Sequence, residues 1–178
     1  MSENIETLFF WIGFGIFITG QIFFGLVLYS IFKKTDNKSF ISNYTMYAIL
    51  WGIGLYLPTI LNFLPTLNIT AEGMFLAIFF ITITAFIILI VASWYYNKNL
   101  YSLSRLTKIS NFKISGLLWM IGITLILIFY LIAFFITWTT ETYLPMQFIG
   151  IIFASIALIL QIISCALIPK DLTKMKIF

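Results

Sequence analysis

Residues 114–138 read ISGLLWMIGITLILIFYLIAFFITW, and this stretch contains no Asp, Glu, Lys or Arg. A helix needs roughly 20 consecutive apolar residues to cross about 30 Å of hydrocarbon. Apolar runs of roughly 10–14 residues are more typical of helices buried in soluble proteins. The stretch is well beyond that length, so it predicts a transmembrane helix.

The composition of the whole chain supports the same interpretation. Of 178 residues, 62% are apolar and only 9% are charged. Soluble domains carry roughly 45–50% apolar and about 25% charged residues, so too few charges remain here to cover a water-exposed surface. This excludes a soluble enzyme, a nucleic-acid-binding protein and a disordered chain. The ten Lys and Arg residues lie in three short clusters between apolar runs, which is typical of membrane-topology signals.

Four further stretches are long and uncharged in the same way. A closed β-barrel, the other structure that satisfies its backbone in lipid, needs segments of about ten residues with alternating polarity, and none occur. The predicted fold class is therefore an all-α integral membrane protein with one transmembrane domain over residues 1–178. Its five predicted helices lie at about 8–32, 41–64, 73–97, 114–138 and 145–167.

The distribution of charge predicts the orientation of the chain. Basic residues occur only between helices 1 and 2, between helices 3 and 4, and in the C-terminal tail. The N-terminus and the other two loops carry glutamates and no Lys or Arg. The positive-inside rule therefore predicts a multi-pass protein of the cell membrane with its N-terminus outside and its C-terminus in the cytoplasm.

Two segments of the chain share a short pattern. Residues 41–43 and 109–111 both read Ile-Ser-Asn, and at the same offset of 68 residues Trp51 corresponds to Trp119. This predicts a parallel duplication of a two-helix hairpin, with helices 2–3 equivalent to helices 4–5 and helix 1 outside the repeat. The alternative is that two aromatic-rich membrane helices share a few residues by chance.

The connection at residues 98–113 is the longest predicted loop. Its leucines are spaced by three among polar and basic residues, which predicts a short amphipathic helix on the cytoplasmic membrane surface. Its basic residues would favour anionic lipid headgroups. A solvated loop is the alternative interpretation.

Local signals predict how two of the helices begin and bend. Ser42-Asn43 and Ser110-Asn111 precede apolar runs, so they are predicted N-caps of helices 2 and 4. Pro58 lies inside predicted helix 2 and should kink it, because proline removes a backbone hydrogen bond.

Three amides are the candidate intramembrane polar contacts: Gln21, Asn62 and Gln161. The two glutamines lie roughly 20 Å from the outer ends of their helices, at about 1.5 Å per residue. Each should face protein and bond the other glutamine, a Thr, a Tyr or a backbone carbonyl, because an amide facing lipid is costly. A contact with a bound substrate is the alternative role. Asn68 lies in an Asn-Ile-Thr sequon of a predicted external loop and is a possible glycosylation site.

The chain lacks the residues of most catalytic and metal sites. It contains no histidine and a single cysteine, Cys165, which excludes histidine-based catalysis, ordinary haem or zinc ligation, disulfides and iron–sulfur clusters. No acidic residue lies at membrane depth, where it would indicate a proton or cation site. We therefore expect no cofactor, no metal and no enzymatic activity.

Three classes of function are compatible with this sequence. The leading one is a non-catalytic subunit that packs against other integral membrane subunits and membrane lipids, with no nucleic-acid partner. The first alternative is a channel or substrate-binding component of a transporter for a neutral or apolar solute. The second alternative is a membrane-embedded lipid enzyme, for which Glu72 and Glu141 are the only external carboxylates among the loops.

The predicted orientation can be tested by cysteine accessibility. In a Cys165→Ala background, a cysteine at position 3 should react with a membrane-impermeant thiol reagent on intact cells. A cysteine at position 174 should react only after permeabilisation, because the positive-inside rule assigns the basic tail to the cytoplasm. The reverse labelling pattern would contradict the orientation.

Overall fold

The structure is a computed structural model that describes residues 2–61, 70–136 and 144–168. Within these residues the chain is entirely helical, apart from short connections. The five helices are α1 (Ser2–Thr35), α2 (Ser39–Tyr56), α3 (Ala71–Thr107), α4 (Asn111–Ile136) and α5 (Leu144–Ala166).

Four stretches of the described chain are long and apolar enough to cross a membrane. They lie in α2 to α5, at Ser39–Leu61, Glu72–Thr107, Asn111–Phe129 and Ile149–Ala166. This confirms that the described chain is all-helical, and four of its helices are compatible with a multi-pass membrane protein. Helix α1 forms as expected, but its passage across the membrane stays a prediction.

The helices pack mainly against their neighbours in sequence. The closest pairs are α4 with α5, α2 with α3 and α3 with α4. Helix α1 contacts α2 far less, and it does so through the half that carries the buried residues Phe24, Leu28 and Ile31. The main bundle is therefore formed by α2 to α5, with α1 attached along one end.

Helix α3 is longer than the sequence suggested. It continues through residues 98–107 to Thr107, and the connection to α4 consists only of residues 108–110. The prediction of a separate surface helix or solvated loop at residues 98–113 is therefore wrong. The reason is packing: Leu100 and Leu103 are fully buried, so the helix gains apolar contacts by continuing. Lys108 then ends it in a left-handed conformation, with φ 58°.

The start of α2 also differs from the prediction. The helix begins at Ser39, and the Asn37 side chain accepts hydrogen bonds from the Ser39 backbone N–H at 3.1 Å and from its hydroxyl at 2.7 Å. Ser42 and Asn43 consequently lie inside the helix, with Asn43 buried, so they are not its N-cap. In the second hairpin Ser110 does directly precede α4, and its backbone carbonyl accepts from the Ile114 N–H at 3.2 Å.

Pro58 ends α2 and does not kink it. The α-helix stops at Tyr56, and residues 57–61 continue as a tighter 3₁₀ turn. Because proline has no N–H and its ring clashes with the carbonyl four residues earlier, the α-helical pattern cannot continue through it. The Thr59 hydroxyl donates to the Tyr56 carbonyl at 2.6 Å and satisfies one of the acceptors left at the helix end.

The α4–α5 pair depends on two glycines. A Cβ atom added to Gly122 would lie 2.8 Å from the Gly150 carbonyl oxygen and 2.8 Å from the Ala154 nitrogen. A Cβ on Gly150 would lie 2.8 Å from the Gly122 carbonyl oxygen. Backbone atoms on both sides fix these distances, so the crossing has no room for a side chain. Small residues at such crossings let membrane helices approach closely.

Gly122→Ala should therefore destabilise the protein by about 1–3 kcal/mol, since the new methyl group meets backbone that cannot rotate away. The matched control is Gly52→Ala in α2, where nothing lies within 4 Å of an added Cβ. That control should be neutral or stabilising, because alanine favours a helix over glycine. Thermal unfolding of both variants in mild detergent checks the difference. Equal melting temperatures would contradict the close crossing.

Candidate functional site

A group of aromatic rings occupies the centre of the bundle, and Tyr96 of α3 lies in its middle. The Tyr96 ring centroid is 4.8 Å from that of Tyr47, 5.4 Å from Phe24 and 5.4 Å from Trp119. Trp51 lies 6.0 Å from Trp119. These distances are typical of favourable aromatic pairs, and the rings bring α1, α2, α3 and α4 into one core.

The Tyr96 side chain is fully buried, at 0% exposure, and its hydroxyl has polar neighbours from two other helices. It donates a hydrogen bond to Oε1 of Gln161 on α5. The Gln21 amide of α1 lies beside the same hydroxyl. One phenol thus connects helices at both ends of the chain.

Tyr44 of α2 provides a second polar connection to α1. Its hydroxyl donates a hydrogen bond to the backbone carbonyl of Gln21. The ring can approach this carbonyl because residue 25 is glycine, where an added Cβ would lie 2.7 Å from the Tyr44 ring. Both the backbone and the side chain of Gln21 therefore contact tyrosines of the bundle.

Four side chains near this centre have buried polar atoms without a hydrogen-bond partner within the described residues. They are Gln21 (Oε1), Tyr47 (hydroxyl), Ser93 (Oγ) and Asn99 (Oδ1 and Nδ2). Asn99 is the least satisfied of the four, because its exposure is 0% and neither its amide oxygen nor its amide nitrogen has a hydrogen-bond partner within the described residues. A buried polar group left unsatisfied costs about 1–3 kcal/mol. Each of these atoms therefore has an unused hydrogen-bonding capacity within the described residues.

Three other polar side chains in the bundle have hydrogen-bond partners, and two of them connect neighbouring helices. The Ser115 hydroxyl of α4 donates to the Ala157 carbonyl of α5 at 2.8 Å. The Ser164 hydroxyl donates to the Leu160 carbonyl within its own helix at 2.6 Å. Asn97 of α3 contacts the Met120 sulfur of α4, with 3.0 Å between Nδ2 and Sδ. The partnerless atoms are distinct from these structural contacts.

We define the polar cluster as Gln21, Tyr47, Ser93, Tyr96, Asn99 and Gln161. All six side chains are neutral and contain no carboxylate, imidazole or amine. In the described residues no three His, Cys, Asp or Glu side chains could together hold a metal ion. The cluster can therefore offer hydrogen-bond donors and acceptors to a ligand, but it offers no acid–base pair with an ordinary pKa near neutrality.

The sequence candidates lie in different places relative to this cluster. Gln21 and Gln161 both approach it, but they are not bonded to each other in the described chain, because Tyr96 lies between them. Asn62 and Asn68 lie outside the described residues. Tyr96 and Asn99 were not among the candidates. Both residues are near Lys98, and a charge at that point suggests a membrane boundary. The spacing of Ser93, Tyr96 and Asn99 by three nevertheless indicates that they share one face of a helix, and this signal could have identified them.

Comparison with protein-family models, with curated proteins and with solved structures gave no match to this chain.

A double-mutant cycle tests the contact between Tyr96 and Gln161. Tyr96→Phe should lower stability by about 1–2 kcal/mol, because it leaves the Gln161 amide without its donor. Gln161→Leu combined with Tyr96→Phe should cost less than the sum of the single changes, with a coupling of about 0.6–1.7 kcal/mol. Tyr56→Phe, at an exposed position, is the matched control and should be neutral. Additive losses at positions 96 and 161 would contradict the contact.

Proposed function

We propose that this chain is a non-catalytic subunit of a larger complex in the cell membrane, where it packs against other integral membrane subunits and lipid. The observation that carries this proposal is the unpacked part of α1. Nothing lies within 4 Å of a Cβ added at Gly15 or Gly20, and Ile18 and Thr19 between them are exposed. Within the described residues, the Thr19 hydroxyl donates a hydrogen bond to the Gly15 carbonyl of its own helix at 2.8 Å.

Such a segment is suited to docking a membrane helix. Helices associate in lipid mainly through close van der Waals packing and interhelical hydrogen bonds, so small residues and a hydroxyl on one exposed turn favour a partner helix. The buried residues Phe24, Leu28 and Ile31 of the same helix are packed into the bundle, which presents the turn from Gly15 to Gly20 in a defined direction. We therefore assign α1 the role of the partner-binding helix.

The neutral polar cluster supports a non-catalytic role. Membrane-embedded hydrolysis, proton transfer and ion coupling use carboxylates, histidines or paired charges at membrane depth. The cluster at the centre of this bundle contains only amides, phenols and one serine hydroxyl. Its interactions are suited to specifying how helices pack, which is what a structural subunit requires.

We also propose that α2–α3 and α4–α5 are duplicated hairpins. Trp51 and Trp119 both point into the same core, with their rings in contact. Gly54 and Gly122 are also 68 residues apart, and each is buried against the second helix of its own hairpin. Gly54 packs against Leu89 of α3, and Gly122 packs against Ala154 of α5. Equivalent residues thus have equivalent contacts, as expected for a parallel repeat.

The proposed orientation follows from the ends of these helices. Neighbouring helices run in opposite directions. One end of the bundle therefore contains the end of α1, the start of α2, the end of α3 and the start of α4. Lys33, Lys34, Lys38, Lys98, Arg105, Lys108 and Lys113 all occur there. We call this the basic end and propose that it faces the cytoplasm.

A second candidate function is a binding or channel component for a neutral solute. The observation that favours it is the set of partnerless atoms in the polar cluster, above all the Asn99 amide. A small molecule with hydrogen-bond donors and acceptors would satisfy these atoms without bringing charge into the bundle.

Purification from native membranes in mild detergent separates the two candidates. A subunit should co-purify with integral membrane partners in fixed stoichiometry, and Gly20→Leu on α1 should remove them because the leucine blocks close approach. Gly52→Leu is the matched control, since that glycine on α2 is also open to space, and it should retain the partners. A monodisperse protein without partners would contradict the subunit proposal and favour solute binding.

A further inference from the structure

One face of α3 changes from apolar to aromatic to basic along its length. Trp94, Lys98, Tyr101 and Arg105 follow one another at intervals of four, three and four residues, so they lie on the same side of the helix. Ile87 continues this line into the membrane-spanning part. All five residues are exposed, with Trp94 at 49% and Tyr101 at 37%. This sequence of surfaces parallels a phospholipid, from acyl chain to interface to headgroup.

Two cations from different helices meet on the Tyr101 ring. The Arg105 guanidinium carbon lies 4.5 Å from the ring centroid, and the Lys113 ammonium of α4 lies 5.7 Å from it. Nη2 of Arg105 also donates a hydrogen bond to the Tyr101 hydroxyl at 2.9 Å. Both cations lie close to one ring, and cation–π contacts offset only part of their positive charge, so this surface favours an anion.

No carboxylate of the described chain neutralises this pair. Asp36 is the one acidic residue at the basic end within the described ranges, and neither Arg105 nor Lys113 has an ion-pair partner there. The hydrogen bond to Tyr101 orients the guanidinium and leaves its other N–H groups available. A guanidinium binds phosphate oxygens through two parallel hydrogen bonds, which makes a phosphate the best-matched anion.

The surroundings identify the source of the phosphate. Ile114 and Leu117 of α4 are exposed within about one turn of Lys113, and Ile87 and Val91 are exposed below Trp94 on α3. Exposed apolar side chains thus lie next to Lys113 on α4 and further along the same face of α3, which suits acyl chains. Lys98 lies over the Trp94 ring, 5.3 Å from its centroid, where it adds a third positive charge near the membrane interface.

We propose that Arg105 and Lys113, held on the Tyr101 ring, bind the phosphate of an anionic phospholipid whose acyl chains lie along the exposed apolar faces of α3 and α4. This site requires that the chain is embedded in a membrane, but it does not depend on a role as a subunit. It is a defined site, and so differs from the general attraction of basic residues to an anionic surface.

The test uses the full-length protein in mild detergent, titrated with phosphatidylglycerol or with phosphatidylcholine. Binding is followed by the rise in melting temperature and by native mass spectrometry of retained lipid. Phosphatidylglycerol should stabilise the protein and remain bound, because ligand binding to the folded state raises its stability. Equal effects of the two lipids would overturn the proposal.

Three variants separate a defined site from diffuse charge. The double variant R105Q/K113Q should weaken phosphatidylglycerol binding about 30-fold, since each basic residue near the surface contributes about 1 kcal/mol. The double variant K33Q/K38Q removes the same charge from the same end and should change binding less than about 3-fold, because its charges lie away from Tyr101. Y101L keeps every cation but removes the ring, and it too should weaken binding about 10-fold, by roughly 1.4 kcal/mol.

Equal losses in both charge variants, or no loss in Y101L, would overturn the site in favour of diffuse attraction. The melting temperature of each variant in phosphatidylcholine reports whether it is folded, and the exposed positions allow all three to fold. The last experiment titrates the protein with inorganic phosphate and with the soluble glycerophosphoglycerol headgroup. If either stabilised the protein at the same concentrations as the lipid, the site would be one for a diffusible anion and the lipid proposal would be wrong.

Discussion

The Tyr96 hydroxyl is the interaction on which the arrangement of this bundle depends. Water is not available in the membrane interior, so a polar group there needs a hydrogen-bond partner from the protein. Tyr96 finds Gln161 on α5 and has the Gln21 amide of α1 beside it, while its ring contacts Tyr47 and Trp119. Since apolar packing alone discriminates poorly between helix faces in lipid, these polar contacts define which faces meet.

Helix α3 serves both the interior and the surface of the protein. Its buried face carries Ser93, Tyr96 and Asn99, and its exposed face carries Trp94, Tyr101 and Arg105. The two faces overlap along the chain, which requires the helix to continue to Thr107, well past the apolar stretch. The length of α3 therefore connects the polar cluster to the basic end of the bundle.

The polar cluster consists of neutral amides, phenols and one serine hydroxyl. Such groups stabilise specific packing of membrane helices through hydrogen bonds. The open turn of α1 around Gly20 and the partnerless Asn99 amide are the two features that the bundle itself leaves unused. The first favours a partner helix, and the second favours a small ligand.

The sequence by itself determined the helical membrane class, because uncharged runs such as residues 114–138 satisfy their backbone in lipid only as helices. It also indicated that Gln21 and Gln161 would need partners, since amides are costly in lipid. The identity of those partners was decided only by tertiary structure. Tyr96 lies at the end of the helix predicted over residues 73–97 and Asn99 lies beyond it, whereas packing of Leu100 and Leu103 extends α3, and both residues are buried. Burial is a property of neighbouring helices, which local sequence does not specify.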